Sequence, residues 1–221
     1  MTNLIFDYDG TLNNCLKTYR PAFKKAYAWL VENGYAKPHD YSDSEISYWL
    51  GFNGNDMWAA FQPDLPIDIR NYCRNIISME TDSQIRSGNA ELYNGANEVL
   101  DTLKQKGFRL IFLSNCRKSY LKAHNDSFHL DKWFDYMYCA EEFGFIPKHK
   151  IFGCIKPKHD GNFIVIGDRF HDMQLADKNN LLSIGCAYGY GSPEELKSAD
   201  IIINSVKELP DAVYKLSENK S

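Results

Sequence analysis

The chain has 221 residues, of which 44% are hydrophobic and 24% are charged, and its formal net charge is −4. This composition is typical of a globular protein with one large domain, or with one domain and a smaller insert. The negative net charge offers no general attraction to nucleic acid or to an anionic membrane, and no apolar run approaches the length of a membrane span, so we expect neither partner.

The first predicted element is a short buried strand, Leu4-Ile5-Phe6, which is followed at once by Asp7-Tyr8-Asp9-Gly10-Thr11. Asp7 and Asp9 are two residues apart, which is the spacing that places two side chains on the same face of a strand. Gly10, directly after Asp9, permits the chain to turn where the strand ends. By itself, the segment is equally compatible with a strand that ends in an ordinary Asp-Gly turn.

Residues 15–89 contain no strand-like run and are predicted to be helical. Phe23, Tyr27 and Leu30 lie on one helical stripe, and Ser42 with Glu45 has the pattern of a capping box that opens a second helix. Two further helical patterns cover residues 56–61 and 67–80. We therefore predict an inserted all-helical cap domain over residues 15–89, with the loop 51–55 facing the active site.

The second half of the chain alternates apolar runs with helical patterns. The apolar runs end at polar or turn residues and occupy residues 110–113, 163–166, 182–187 and 201–203. The helical patterns occupy residues 96–106, 118–128, 172–180, 194–199 and 209–216. Continuous apolar runs suit strands that are buried on both faces, so this rhythm predicts a Rossmann-like, doubly wound parallel α/β core over residues 1–14 and 90–221.

Polar residues follow the ends of three of these strands: Asp7 and Asp9, Ser114 and Asn115, and Asp168 and Asp172. Parallel strands bring such residues to one edge of the sheet. Several carboxylates at one edge repel each other unless a cation lies between them, and a ligand set with oxygen atoms only favours Mg²⁺.

These residue types suit phosphoryl transfer. A magnesium ion at Asp7 and Asp168 would neutralise a phosphoryl oxygen, Asp7 could attack phosphorus, and Asp9 could move the proton of the leaving group. Thr11 and Ser114 can donate hydroxyl hydrogen bonds to the phosphoryl group, and Asn115 can donate an amide hydrogen bond. A lysine would complete the charge balance.

Three segments resemble motifs of the haloacid dehalogenase superfamily. Residues 6–12 (Phe-Asp-Tyr-Asp-Gly-Thr-Leu) are similar to its first motif in the phosphatase form, residues 113–115 to its second, and residues 167–172 to its fourth. The segment 188–200 resembles the phosphoglycolate phosphatase-like branch, which carries a helical C1 cap after the first motif. The resemblance covers the whole chain.

The resemblance implies a Mg²⁺-dependent phosphatase that hydrolyses a small phosphomonoester metabolite through an aspartyl-phosphate intermediate. It implies that Asp7 is the nucleophile and that Asp9 is the general acid and base. The metal ligands would be Asp7, the backbone carbonyl of Asp9, and Asp168, with Asp172 acting through a water. The phosphate-binding residues would be Gly10, Thr11, Ser114, Asn115 and a lysine.

The lysine of the third motif has three candidates. The family usually has a Lys-Pro pair at the start of the helix that leads to the fourth-motif strand. Lys148 and Lys150 lie at the start of a helical pattern, whereas Lys156, which does precede a proline, lies at its end. We therefore predict Lys148, with Lys150 second and Lys156 last.

Other functions remain open at this stage. A phosphomutase of the β-phosphoglucomutase type shares the aspartate pair and the cap, and a non-catalytic phosphate-binding protein could retain the site. The presence of Asp9 disfavours a dehalogenase and a phosphonatase. A receiver domain also gathers Asp, Ser or Thr, and Lys at strand ends, but the insert and the Asp-x-Asp spacing argue against it. The identity of the phosphorylated substrate stays open.

The cysteines and the N-terminus bear on location. The six cysteines include no Cys-x-x-Cys pair, and no histidine lies in a His-Glu-x-x-His pattern, so neither zinc nor a disulfide framework is expected. No basic segment precedes a long apolar stretch at the N-terminus. We expect a cytoplasmic protein with reduced cysteines, and a monomer is favoured over an oligomer.

Overall fold

The computed structural model describes residues 1–218, and its centre is a six-stranded sheet in the order β3-β2-β1-β4-β5-β6. The strands are β1 (Thr2–Phe6), β2 (Arg109–Ser114), β3 (Tyr136–Cys139), β4 (Asn162–Gly167), β5 (Leu182–Cys186) and β6 (Ile201–Ile203). All five neighbouring pairs are parallel. The strand order changes direction at β1 and β4, and a switch point of this kind opens a crevice at the carboxyl ends of the strands.

Helices cover both faces of this sheet. They are α5 (Ala96–Gln105), α6 (Lys118–Phe128), α7 (Lys148–Ile155), α8 (Phe170–Asn179), α9 (Pro193–Leu196) and α10 (Leu209–Glu218). Leu4 and Phe6 of β1 belong to one apolar cluster, whereas Ile5 between them belongs to another on the opposite face. Because alternate residues of one strand pack into different cores, the sheet is buried on both faces, which confirms the predicted doubly wound α/β core.

The edge strand β3 (Tyr136–Cys139) is absent from the pattern of apolar runs that predicts the other five strands. Tyr136 is exposed and the two residues after it are half-buried, so only Cys139 is fully buried. Because its faces are only partly covered, this strand needs no continuous apolar run. The apolar runs of the sequence therefore do not reveal β3.

The segment between β1 and α5 is helical, which confirms the inserted helical cap. Its helices are α1 (Leu16–Glu32), α2 (Asp43–Ser47), α3 (Gly54–Phe61) and α4 (Ile67–Arg86). The predicted capping box is present, since Ser42 and Glu45 exchange side-chain and backbone hydrogen bonds. The last helix continues past the predicted residue 80 because Thr81 and Ile85 extend its buried stripe.

The cap has a separate apolar cluster of its own, formed around Phe23, Leu30, Ile46 and Trp58. The boundaries at residues 14/15 and 89/90 stay a prediction, and residues 219–221 of the predicted core lie outside the described part. Within residues 1–218, no helix combines the length and the apolarity needed to cross a bilayer.

Candidate active site

The crevice at the switch point is built where β1 and β4 end. Asp7 follows β1 directly, and its backbone N–H donates to the carbonyl of Ile166 over 2.8 Å. Asp168 follows β4 directly, on the neighbouring strand. Gly10 has a φ of +85°, and a Cβ at this position would lie 2.1 Å from Asp168 Oδ2. Glycine therefore allows both the turn after Asp9 and the close approach of the two loops.

Three carboxylates meet in this crevice. One oxygen each of Asp7, Asp168 and Asp172 lies within 4.8 Å of the others, and all three side chains are buried. Lys148, at the start of α7, reaches into the cluster, and its Nζ lies 2.6 Å from Asp7 Oδ1 and 2.7 Å from Asp172 Oδ1. The Lys148 side chain is only 3% exposed, so its charge is neutralised almost entirely by these partners.

The remaining oxygens of the cluster are oriented by the backbone. The N–H of Tyr190 donates to Asp168 Oδ2 over 2.7 Å, and the N–H of Arg169 donates to Asp172 Oδ2 over 3.2 Å. Asp172 lies in the first turn of α8, where the partial positive charge of the helix N-terminus favours a carboxylate.

The cluster fits a divalent cation. If all the groups are ionised, three carboxylates and one ammonium leave two excess negative charges in a buried site, and oxygen ligands suit a hard cation. Burial raises the pKa of Asp7 to about 7, with the nearby Asp172 adding to the effect and Lys148 opposing it. Burial and the charge of Asp7 also raise the pKa of Asp168 well above its usual value. The site thus carries excess negative charge, and Asp7, Asp168 and Asp172 could offset it by holding Mg²⁺.

Lys148 keeps its proton in this environment. Burial alone would lower its pKa, but the adjacent Asp172 and Asp7 carboxylates outweigh burial and raise the pKa of the ammonium group. Lys150 and Lys156, the other two candidates, are both exposed. Of the three lysines, Lys148 is the one that the structure brings to the carboxylates.

Asp9 lies in the wall of the crevice and is held by two side chains. Its Oδ1 accepts hydrogen bonds from Asn13 Nδ2 over 2.7 Å and from Tyr120 Oη over 2.6 Å. Burial raises the pKa of the Asp9 carboxyl, whereas the hydrogen bonds from Tyr120 and Asn13 act in the opposite direction. Burial has the larger effect, so the pKa of the Asp9 carboxyl lies above its usual value.

The predicted phosphate-binding groups lie around the same crevice. Thr11 is buried, and its Oγ1 lies 3.4 Å from Asp168 Oδ1. Ser114 is buried as the last residue of β2. Asn115 follows it, and its Nδ2 donates to the carbonyl of Gly51 in the cap over 2.9 Å. Asn115 therefore connects the core to the segment 48–55 of the cap, which we call the cap loop.

A second bridge between core and cap comes from Arg169, a residue to which the sequence analysis assigns no role. Its side chain is buried, and its guanidinium donates to the carbonyls of Tyr48 and Leu50 in the cap. The same guanidinium pairs with Glu195, at an Nε–Oε2 distance of 2.8 Å. The cap loop is thus tied to the turn that carries Asp168.

A cavity of about 380 Å³ lies between the cap loop and the core, and its walls include Asp9 and the predicted loop 51–55. Other wall residues come from three cap helices and from α6: Thr18, Trp58, Arg74, Thr81 and Tyr120. Trp58 Nε1 and Thr81 Oγ1 are buried without a hydrogen-bond partner among residues 1–218.

Tyr120, Asn13 and Arg169 are the residues around the site that the sequence analysis misses. Tyr120 lies in the first turn of α6, six residues after Ser114, and nothing in its spacing marks it. In the sequence, Arg169 is recognisable as a charged residue next to Asp168. Its contacts with the cap loop, however, depend on tertiary structure.

Comparison with known proteins agrees with this geometry. Residues 4–186 match the family model described as haloacid dehalogenase-like hydrolase. A Lacticaseibacillus casei protein described as an uncharacterized protein in the fgs 3′ region is 24% identical over 209 residues, which is 94% of each chain.

Solved structures share the fold. A predicted phosphatase from Clostridium acetobutylicum superposes with a TM-score of 0.79 at 24% identity, covering 97% of this chain and 98% of its own. A predicted phosphoglycolate phosphatase from Haemophilus somnus superposes with a TM-score of 0.79 at 22% identity, covering 96% of this chain and 97% of its own.

Proposed function

The chain belongs to the haloacid dehalogenase-like hydrolases, and we propose that within this family it is a Mg²⁺-dependent phosphatase that hydrolyses a small phosphomonoester. The observation that carries the proposal is the buried group of Asp7, Asp168 and Asp172, two of which, Asp7 and Asp172, contact the Lys148 ammonium. The names of the two similar solved structures, a predicted phosphatase and a predicted phosphoglycolate phosphatase, point in the same direction.

The reaction begins with Asp7. One carboxylate oxygen of Asp7 attacks the phosphorus atom and forms an acyl phosphate, while the bond from phosphorus to the leaving oxygen breaks. Asp9 gives its proton to that oxygen, so the leaving group departs as a neutral alcohol. Lys148 fixes the Asp7 carboxylate in place through its 2.6 Å contact and offsets part of the negative charge of the bound phosphoryl group.

The second half of the reaction uses Asp9 in the opposite sense. Asp9, now ionised, takes a proton from a water molecule, and the resulting oxygen attacks the phosphorus of the acyl phosphate. The bond between phosphorus and Asp7 breaks, which restores the Asp7 carboxylate and releases inorganic phosphate. Asp7, the Asp9 carbonyl and Asp168, with Asp172 acting through a water, would hold Mg²⁺, which would supply positive charge to the phosphoryl oxygens.

The cap supplies the leaving-group site. The cavity beside Asp9 is lined by Trp58 and Thr81, whose buried polar atoms have no partner among residues 1–218, and by the half-buried Arg74. The small volume of the cavity favours a free metabolite over a phosphoprotein as the substrate. The six free cysteines support a reducing compartment, for which we propose the cytoplasm.

Trapping of the phosphoenzyme tests this proposal. Wild-type protein with Mg²⁺ should hydrolyse 4-nitrophenyl phosphate, and EDTA should abolish turnover. Asp7→Asn should neither turn over nor become labelled by a ³²P-phosphomonoester. Asp9→Asn should still become labelled by a substrate with a good leaving group and should accumulate the acyl phosphate, because it lacks the base for hydrolysis.

Asp64→Asn is a matched control, because it removes one exposed carboxylate from the cap. It should retain wild-type turnover and show no accumulation of label. Labelling of Asp7→Asn at the wild-type level would show that Asp7 is not the nucleophile. A screen of phosphorylated metabolites at fixed Mg²⁺, including phosphoglycolate, sugar phosphates, nucleotides and pyrophosphate, would then identify the substrate.

A further inference from the structure

Asp9 is part of a closed ring of three hydrogen-bonded side chains. Asn13 Nδ2 lies 2.7 Å from Asp9 Oδ1 and 3.1 Å from Tyr120 Oη, and Tyr120 Oη lies 2.6 Å from the same Asp9 oxygen. The three side chains come from the loop after β1 and from the first turn of α6.

The direction of each hydrogen bond in the ring is determined by chemistry. The amide nitrogen of Asn13 can only donate, so one of its protons goes to Asp9 and the other to the lone pair of Tyr120 Oη. Tyr120 has a single hydroxyl proton, and the Asp9 carboxylate can only accept it. Asp9 Oδ1 thus receives two donors, and hydrogen bonds to a charged acceptor are stronger than those between neutral groups.

The ring is rigid. Asn13 is completely buried, and Tyr120 is 9% exposed. The Tyr120 ring packs against His124 with a centroid distance of 4.3 Å, which restricts rotation of the tyrosine. Asn13 also pairs through its backbone with Asp9 and Leu92, at the point where the chain passes between the core and the cap.

We propose that Tyr120, together with Asn13, is a positioning residue that sets the orientation of the general acid and base Asp9. Both donors engage Oδ1, so they fix the rotation of the carboxyl group and leave Oδ2 as the oxygen that exchanges the proton. Asp9 and Tyr120 both line the cavity in which the leaving group would lie. This inference rests on the proposed phosphatase function, and it adds a role that the acidic cluster alone does not indicate.

The positioning role has a specific kinetic consequence. A poor leaving group needs a well-placed acid when its bond to phosphorus breaks, whereas a good leaving group departs with little help. Loss of the Tyr120 hydroxyl should therefore slow the reaction of a basic leaving group more than that of a weakly basic one. A loss of folding or of metal would slow both to the same extent.

Comparison of two aryl phosphates of similar shape tests the proposal. The kcat/KM values of wild type and Tyr120→Phe would be measured with phenyl phosphate, whose leaving group is basic, and with 4-nitrophenyl phosphate, whose leaving group is much less so. This parameter reports the steps up to the first irreversible one, which is the transfer to Asp7. We expect Tyr120→Phe to lose about tenfold or more with phenyl phosphate and less than about threefold with 4-nitrophenyl phosphate.

Tyr138→Phe is the matched control, because it also removes one tyrosine hydroxyl with a hydrogen-bond partner, here His159 at 3.2 Å. It should leave both kcat/KM values unchanged. Asn13→Ala provides a second variant should Tyr120→Phe fold poorly, and it should show the same bias against phenyl phosphate. The double variant should lose less than the product of the single losses, because both donors hold one oxygen.

The outcomes separate this proposal from the proposed function. Equal losses with the two substrates, or no loss with either, would overturn the positioning role while leaving the phosphatase intact. A wild-type protein that hydrolyses neither substrate in Mg²⁺ would overturn both. A larger loss with phenyl phosphate in Tyr120→Phe and in Asn13→Ala would support the role of the ring.

Discussion

Replacing Lys148 by methionine tests the electrostatics of the acidic cluster. Methionine retains most of the side-chain volume and removes the charge. In the wild type, the ammonium lies 2.6 Å from Asp7 and 2.7 Å from Asp172, with the lysine side chain 3% exposed. Without it, three buried carboxylates would have no buried ammonium in contact with them.

Breaking a buried ion pair by removal of one partner costs about 3–5 kcal/mol of unfolding free energy. For a chain of 221 residues, a loss of 1 kcal/mol lowers Tm by about 2–4 °C. We therefore expect the Tm of Lys148→Met in EDTA to fall by about 10 °C. The more negative site should bind Mg²⁺ more tightly, so Mg²⁺ should raise the Tm of the variant more than that of the wild type.

Thermal unfolding followed by circular dichroism, in EDTA and in Mg²⁺, measures both effects. Lys150→Met is the matched control, because it removes the same charge from an exposed position on the same helix. It should change Tm by less than about 2 °C. An unchanged Tm for Lys148→Met in EDTA, or an equal loss for Lys150→Met, would refute the assignment of Lys148 to the cluster.

Three further predictions concern stability, Mg²⁺ binding and the cap. Burial lowers the pKa of His124 to about 3 from 6.5, so the folded state resists protonation and stability falls as the pH drops below 6.5. Between pH 7 and pH 5 the wild type should lose about 2 kcal/mol relative to His124→Gln in urea titrations, and parallel curves would contradict this. A Cβ at Gly189 would lie 2.4 Å from Asp168 Cβ, whereas Gly153 has free space around it. Gly189→Ala should therefore weaken Mg²⁺ binding in calorimetric titrations, whereas equal Mg²⁺ affinity in Gly189→Ala and Gly153→Ala would contradict the steric argument. Arg169→Gln should loosen the cap loop, with faster limited proteolysis there and a KM that rises several-fold, and an unchanged digestion pattern would show that these contacts do not hold the cap.

Much of the fold follows from the sequence because the relevant signals are local. Four of the six strands contain continuous apolar runs, and the run of β5 is interrupted only by Ser183 and Gly185. Such runs are typical of strands buried on both faces. The cap helices carry periodic apolar stripes, and Ser42 with Glu45 marks a helix start through contacts three residues apart. The missed strand β3 is only partly buried, so it lacks the apolar run that marks the other strands.

The sequence alone also predicts the carboxylates of the candidate site, because Asp7, Asp9, Asp168 and Asp172 follow strands or begin a helix at positions that a parallel sheet brings to one edge. Only the tertiary structure decides how these groups are paired. Lys148 contacts Asp7 across 141 residues of sequence, and Tyr120 contacts Asp9 across 111. Contacts of such separation depend on the packing of whole helices against the sheet, and no local periodicity encodes which tyrosine or lysine the packing delivers.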